Sequence, residues 1–233
     1  MKLGLIGAME VEVATLKARL ENCQEKTVAG SRFWEGTLRG LNVVVVQCGV
    51  GKVNAALCVQ ILCDCFGVTH LVNTGVAGAL SLTLDIGDFV ISTDAVQHDM
   101  DVTALGYAVG QVPGLDVREF PADEELMGLA FGAADSLNPG HAHMGRVASG
   151  DLFVSGAQAK ERIIAHTQAM CAEMEGAAIA QAAWRNQIPY VIIRAISDKA
   201  DDSAHMDYPT FEAKAAAQCA DVTTALAEKL AEN

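Results

Sequence analysis

Residues 189–198 read PYVIIRAISD, an almost unbroken apolar run that ends in an acid, and residues 199–202 (KADD) are polar and turn-like. Such a run is typical of a strand that is buried on both faces of a parallel sheet. In α/β proteins, ligands bind just beyond the carboxyl ends of the strands. Asp198 is therefore well placed to bind or to protonate a ligand.

Two further pairs of acids follow short apolar segments in the same way. Glu10 and Glu12 come after an opening strand at residues 2–6, and Glu173 and Glu175 come after another apolar segment. In an extended segment the two acids of a pair would point to one side, whereas at a helix start they diverge by roughly 200°. An acid at a helix start can also simply complement the helix dipole. The Glu173–Glu175 pair taken alone leaves both roles open.

Short β-rich runs alternate with helix-like stretches along the chain. Strands are predicted at residues 3–6, 33–38, 43–47, 70–73, 88–92, 143–148 and 190–196. Helices are predicted at residues 11–20, 52–66, 122–137, 156–165 and 176–185 and in a C-terminal amphipathic stretch from Phe211 to Leu230. This alternation predicts one α/β domain over residues 1–233, with a mixed, mostly parallel central sheet flanked by helices on both faces. Residues 96–121 are irregular, and connections of that length are usually functional or involved in assembly.

The composition restricts the class of protein and its partners. A chain of 233 residues with 51% hydrophobic residues suits one compact domain. Its net charge of −13 argues against nucleic acid or an anionic membrane surface as the main partner. No apolar run is long enough to span a bilayer, and the N-terminus does not resemble a signal peptide. The seven cysteines lie mostly in apolar segments, which predicts reduced thiols in a cytoplasmic protein.

Two glycine-containing motifs follow predicted strands. Residues 49–54 (GVGKVN) fail the phosphate-loop pattern, because Val46 stands where its first glycine belongs and Val53 follows the lysine. This segment is either a tight strand-to-helix turn or a turn that also lines a ligand site. Residues 73–79 (NTGVAGA) are predicted to form a second turn, whose glycines let the backbone approach a ligand closely. No metal site is predicted, because no complete ligand set accompanies His98–Asp99, His141–His143 or Cys63–Cys65.

A set of short motifs follows in order along the whole chain: GAMEVE (7–12), GVGKVNAA (49–56), NTG (73–75), HDMDVT (98–103), GYAVGQVPG (106–114), SGD (149–151), EME (173–175) and RAISD (194–198). Together these motifs resemble the 5′-methylthioadenosine/S-adenosylhomocysteine nucleosidase family. The resemblance implies a nucleoside phosphorylase-like fold, a homodimer, and neither metal nor organic cofactor. It implies hydrolysis of the bond between adenine and ribose in 5′-thio-substituted adenosines, with 5′-deoxyadenosine as a further candidate substrate.

The resemblance also implies roles for individual residues. Asp198 would protonate adenine at N7, Glu12 would activate the attacking water, and Glu175 would hold the ribose hydroxyls. The remaining substrate-binding residues that it implies are Ala8, Val76, Gly78, Phe153, Val154, Met174, Arg194, Ser197 and Tyr208. Leu105 and Pro113 would extend into the 5′-substituent pocket of the partner chain.

These residue types suit the chemistry. Adenine is a poor leaving group as an anion, so its protonation helps it to leave, and carboxylates stabilise the positive charge that develops on the sugar. A phosphorylase would instead need cationic or donor groups around a phosphate.

Two residues depart from the pattern of the family or from what the chemistry favours. Val76 stands where the family commonly has serine, and Lys199 follows Asp198. A nearby ammonium would lower the pKa of Asp198, whereas a lysine that points to solvent, as its polar neighbours suggest, would do little.

Three alternative functions stay open at this stage. A purine nucleoside phosphorylase of the same fold would require phosphate for turnover. An aminodeoxyfutalosine nucleosidase would differ in the variable apolar residues around the 5′-substituent. A non-catalytic nucleoside-binding protein is favoured only by Val76, and the presence of Glu12, Glu175 and Asp198 argues against it.

Overall fold

The computed structural model describes residues 1–232, except for the side chain of Met206, and it contains one ten-stranded sheet. The strands are β1 (Lys2–Gly7), β2 (Glu21–Val28), β3 (Ser31–Leu38), β4 (Leu41–Gln47), β5 (His70–Ala79), β6 (Phe89–Gln97), β7 (Phe120–Pro121), β8 (Ala142–Ser149), β9 (Cys171–Glu173) and β10 (Tyr190–Asp198). The helices are α1 (Glu10–Ala18), α2 (Lys52–Phe66), α3 (Glu124–Leu137), α4 (Ala157–Thr167), α5 (Gly176–Asn186) and α6 (Ala204–Glu232).

Five of the strands close into a ring. Strand β5 pairs with β10, β10 with β6, β6 with β8, β8 with β9, and β9 returns to β5. Strands β1, β4, β3 and β2 extend the sheet outward from β5. Parallel pairings cover more residue pairs than antiparallel ones. The predicted mixed, mostly parallel sheet is confirmed, whereas its closure was not predicted.

The apolar strands bury both of their faces. In β4, Val44 and Val46 pack into the cluster formed with α2 and α5, whereas Val43 and Val45 pack into the cluster formed with α1, α3 and α6. Successive side chains of a strand point to opposite faces, so a continuous apolar run serves both clusters. The predicted helices on both faces of the sheet are therefore confirmed.

Four segments differ from the prediction, and two of them are the short strands β7 and β9, which were not predicted. Strand β2 was missed, because this edge strand is almost wholly exposed and its polar sequence lacks alternating hydrophobicity. The prediction of a turn at residues 73–79 was wrong, since β5 continues through them to Ala79. Gly75 and Gly78 instead provide room for the side chains of Arg194 and Asp198 against the strand. Among the described residues, no helix is both long and apolar enough to cross a membrane.

Candidate active site

Strands β1, β5 and β10 are parallel neighbours, so their carboxyl ends open at one edge of the sheet. A cavity of about 180 Å³ lies there, far larger than the ~10–15 Å³ that one water needs. Ten predicted residues line it: Ala8, Glu12, Val76, Gly78, Phe153, Met174, Glu175, Ser197, Asp198 and Tyr208. It is also lined by five residues that were not predicted: Met9, Val50, Ala77, Ala172 and Glu173.

Asp198 ends β10 and is 2% exposed. Its Oδ2 accepts a hydrogen bond from Ser197 Oγ at 2.9 Å, and its Oδ1 accepts one from the Ala200 N–H at 2.8 Å. Burial raises the pKa of this carboxyl, and the negative charges of Asp207 and Asp201 raise it further. A carboxyl in this setting retains its proton to higher pH than an exposed aspartate, as a proton donor requires.

Glu12 lies in the first turn of α1, close to the end of β1. Its Oε2 accepts the N–H groups of Ala8 at 2.7 Å and Met9 at 3.0 Å, and its Oε1 accepts the Val76 N–H at 3.1 Å. Burial raises the pKa of Glu12, while the Arg194 charge and these N–H donors oppose the rise. The Val76 contact comes from the backbone, so it does not depend on the side chain at that position.

Arg194 lies beneath the cavity at 1% exposure and is not among the residues that line it. Its Nη2 donates to Glu173 and to Asn73 Oδ1, the latter at 2.5 Å, and lies 3.8 Å from Glu175 Oε2. Burial opposes the guanidinium charge, but Glu173, Glu12 and Glu175 outweigh it and raise the pKa of Arg194. One fixed cation is therefore shared by three buried acids.

Glu175 joins this cluster to the turn before α2. Its Oε1 accepts the Gly51 N–H at 2.8 Å, and Val50 of the same turn lines the cavity. The turn at residues 49–54 therefore does contribute to the cavity. Burial raises the pKa of Glu175 to about 7, Glu173 and Glu12 add to the rise, and Arg194 and the Gly51 N–H oppose it.

Two aromatic side chains meet at the cavity. The rings of Phe153 and Tyr208 lie edge to face with centroids 5.6 Å apart. The Tyr208 hydroxyl donates to Glu212 Oε1 at 2.9 Å and lies 3.2 Å from Met9 Sδ. Val154 lines a smaller cavity that shares Gly78, Phe153, Met174 and Asp198 with the larger one. An apolar wall therefore faces the acids.

Leu105 and Pro113 are exposed and line neither of these cavities. The Lys199 ammonium contacts the carbonyl of Leu84 and, at 2.7 Å, Asp85 Oδ1. It is therefore paired with groups other than Asp198, and of the two orientations considered for this lysine, the one near the Asp198 carboxyl is not adopted.

The histidines that were considered as metal ligands have other surroundings. His141 Nδ1 lies 2.7 Å from Asp88 Oδ1, and His143 Nε2 lies 3.3 Å from Asp88 Oδ2. His98 is buried, which lowers the pKa of its imidazole. Asp99 instead accepts from Lys52 Nζ at 2.6 Å and from the Asp151 N–H at 2.9 Å.

The sequence analysis assigned no role to three polar residues of the cluster. Asn73 and Ser149 are fully buried, and Glu173 is nearly so. Each carried a signal: Asn73 and Ser149 lie in motifs of the family resemblance, and Glu173 follows an apolar segment. Their contact with one another was not predictable, because it depends on a pairing between distant segments.

The chain is similar to known proteins over almost its full length. A model of the phosphorylase superfamily matches residues 2–228. A 5′-methylthioadenosine/S-adenosylhomocysteine nucleosidase from Geobacillus kaustophilus is 43% identical over 227 residues, which cover 97% of this chain and 96% of that protein. The corresponding enzyme from Neisseria meningitidis, in complex with methylthio-immucillin-A, is 38% identical with a TM-score of 0.95, covering 98% of this chain and 99% of that one. Futalosine hydrolase of Helicobacter pylori is 30% identical with a TM-score of 0.93, covering 98% of each chain.

Proposed function

Because this chain belongs to the 5′-methylthioadenosine/S-adenosylhomocysteine nucleosidase family of the phosphorylase superfamily, we propose that it hydrolyses the N-glycosidic bond of these two nucleosides. The products are adenine and the 5′-substituted ribose. One observation carries the proposal above all. A single cavity is lined both by Asp198, an acid with a raised pKa, and by Glu12 and Glu175, which lie around Arg194.

Asp198 is the proposed general acid. It donates its proton to adenine N7 as the bond between C1′ and N9 breaks, and the bonding electron pair leaves with the base. Ser197 and the Ala200 N–H hold the carboxyl in place. The aromatic side chain of Phe153 and the backbone of Val154 bind the adenine next to it, and Gly78 leaves room for the Asp198 carboxyl.

Glu12 is the proposed general base. It accepts a proton from the water whose oxygen bonds to C1′, and its own position is set by three backbone N–H donors. Glu175 binds the ribose hydroxyls, and Met174 packs on the sugar. The negative charge of these carboxylates stabilises the oxocarbenium character of the sugar in the transition state. Arg194 lies beneath the cavity, and its positive charge reduces the repulsion among these acids.

Water is favoured over phosphate as the acceptor. Four carboxylic acids line the cavity, and among its lining residues in the described chain there is no lysine or arginine. A phosphate dianion needs charged donors, which bind it best when they are bidentate. Nη2 of Arg194 is already engaged by Glu173 and Asn73, and this side chain does not line the cavity.

The substrate can be tested directly. Adenine release from 5′-methylthioadenosine should occur in phosphate-free buffer, with methylthioribose as the second product, and added phosphate should not change the rate. A requirement for phosphate would identify a phosphorylase instead. Binding without turnover would identify a nucleoside-binding protein. The same assay with aminodeoxyfutalosine tests the relation to futalosine hydrolase, whose TM-score of 0.93 shows that the fold alone does not separate these substrates.

A homodimer is part of the proposal. Val53 and Leu57 are one turn apart on α2 and are 79% and 46% exposed, and Leu105 is 74% exposed. Exposed apolar side chains of this size favour a protein interface. Leu105 and Pro113 then reach the 5′-substituent pocket of the partner chain. Light scattering should give twice the chain mass, and Leu57→Asp should give the monomer; a wild-type monomer would contradict the proposed dimer.

A cytoplasmic location is also proposed. All seven cysteines are unpaired in the described chain, and four of them are buried. Burial raises the pKa of the Cys48, Cys171 and Cys219 thiols, so they stay protonated and unreactive. Cell fractionation with activity measurements tests this location.

A further inference from the structure

Glu173 accepts hydrogen bonds from four donor groups, although the proposed function gives this residue no role. It is 7% exposed. Its Oε1 accepts from Ser149 Oγ and from the Gly176 N–H at 2.9 Å. Its Oε2 accepts from the N–H groups of Glu175 at 3.1 Å and Gly176 at 2.8 Å, and from Arg194 Nη2. Four donor groups therefore surround one carboxylate, which has about four lone-pair positions.

These donors belong to three different elements. The N–H groups of Glu175 and Gly176 belong to the N-terminus of α5, Ser149 ends β8, and Arg194 lies within β10. Ser149 Oγ also accepts the Ala177 N–H at 2.7 Å, so Glu173 and Ser149 together satisfy the first amides of α5. Unsatisfied N-terminal amides destabilise a helix start, and a carboxylate there also complements the helix dipole.

Glu175 is the residue that benefits from this arrangement. It is the N-cap of α5, so its backbone position depends on the first turn of that helix. In contrast to Glu173, its side chain accepts a single N–H within the described chain, that of Gly51, and it retains lone pairs toward the cavity. Glu173 has its oxygens occupied by the protein, whereas Glu175 has capacity left for a ligand.

We propose that Glu173 is a positioning residue for the hydrolysis: its carboxylate binds Arg194 and the first turn of α5 together, and so holds Glu175 and Glu12 in their working geometry. This inference rests on the proposed function. Arg194 Nη1 and Glu12 Oε1 both lie where a Cβ on Gly75 would stand, so the guanidinium that Glu173 holds approaches Glu12 closely at this point of β5.

The charge of Glu173 also acts on its neighbours. The groups that face Glu175 are Glu173, Arg194, Glu12 and the Cys48 thiol. Removing the negative charge of Glu173 lets Arg194 act more strongly on Glu175, so the pKa of Glu175 falls. Since Glu175 is proposed to bind the ribose hydroxyls as a carboxylate, the acidic limb of the kcat/KM profile moves to lower pH when Glu173 loses its charge.

The test measures adenine release from 5′-methylthioadenosine against pH for wild type, Glu173→Gln and the control Glu161→Gln, an exposed acid on α4. The glutamine keeps the size of the side chain but turns an amide N–H₂ toward donors. We expect kcat/KM to fall about 10- to 100-fold, by analogy with residues that orient the ligands of catalytic metal ions, with the acidic limb at lower pH. The control should match wild type. Full activity, or a loss of thermal stability without any shift of the limb, would overturn the proposal.

A second variant and a second measurement keep the test decisive. Glu173→Asp retains the charge but is one methylene too short to reach all four donors, so its kcat should fall while the limb stays at the wild-type pH. Should the glutamine variant fail to fold, full activity of the aspartate variant overturns the proposal. Hydrogen exchange at the amides of Gly176 and Ala177 should accelerate in either variant, and unchanged exchange contradicts the assigned contacts. A wild type that releases no adenine would remove the proposed function, whereas the exchange result would still decide the contacts.

Discussion

The two acidic regions of the cavity use the same chemical group in opposite ways. In the described chain Asp198 accepts hydrogen bonds from uncharged donors, Ser197 and the Ala200 N–H. Glu12, Glu173 and Glu175 surround the buried cation of Arg194. Burial raises the pKa of Asp198 without a compensating cation, whereas in the cluster Arg194 opposes the same effect. The two regions therefore differ in what acts against burial, which is a pair of uncharged hydrogen-bond donors at Asp198 and a shared cation in the Arg194 cluster.

The largest expected effect comes from removing the isolated acid. Asp198→Asn should lower kcat/KM by about 10²- to 10⁴-fold, the contribution of a general acid, because adenine would then leave unprotonated. Calorimetric titration should still detect ligand binding. The control Asp202→Asn changes an exposed acid close by in the sequence and should behave as wild type. Normal turnover by Asp198→Asn would mean that another group protonates adenine.

The second prediction uses pH to test the cluster around Arg194. The pKa of Glu175 rises to about 7 in the folded protein from an ordinary value of 4.5, so folding favours its protonated form. The associated stabilisation is present below pH 4.5 and is lost as the pH rises through 7. Relative to Glu175→Gln, which does not titrate, wild type should lose roughly 3 kcal/mol of unfolding free energy over this range.

Urea unfolding of both proteins at several pH values, without ligand, measures this difference. If the difference in unfolding free energy between the two proteins stayed constant from pH 4.5 to pH 8, Glu175 would titrate like an exposed glutamate. That result would contradict the raised pKa of Glu175.

The third prediction changes the space in the cluster and leaves its charges intact. A Cβ at Gly75 would overlap Arg194 Nη1 and Glu12 Oε1. Overpacking of this kind costs about 1–3 kcal/mol, so Gly75→Ala should lower both the melting temperature and kcat/KM. Gly128→Ala in α3 is the matched control, because its Cβ meets nothing within 4 Å, and it should be neutral or stabilising by up to ~1 kcal/mol. Equal behaviour of the two variants would contradict the close approach of Arg194 and Glu12.

The smallest effect is expected at Lys199. Its ammonium contacts Leu84 and Asp85, and the Asp85 side chain is 85% exposed. Exposed ion pairs contribute about 0–1 kcal/mol, so Lys199→Met should change kcat/KM by less than about 5-fold, which corresponds to the upper end of that range. The basic limb of the pH profile should stay in place. A shift of that limb to higher pH would show that the lysine lowers the pKa of Asp198 after all.

Much of the fold was predictable because it depends on local pattern. The buried run before Asp198 and the alternation of strands with helices predicted a mixed sheet covered on both faces. Strand β2 was not predictable, since it is a polar edge strand. The turn predicted at residues 73–79 was wrong, because glycine in a strand allows close approach of side chains as readily as it allows a turn.

The candidate site was predictable to a similar extent. Ten residues implied by the family resemblance line one cavity, and Arg194 lies directly beneath it. Val76 shows the limit of that inference. The family pattern draws attention to the missing serine hydroxyl, whereas the contact to Glu12 is made by the Val76 backbone N–H, which any residue except proline supplies.

The sequence by itself determined that acids follow apolar strands, since burial and strand period are local properties. Only the tertiary structure decided which of these acids share a cation. Strand β9 pairs antiparallel with β5 and parallel with β8, and this closure places Glu173 against Arg194 and Ser149. Such contacts join segments more than twenty residues apart, and their effect on the pKa of Glu175 depends on distance and burial in space, which local pattern does not encode.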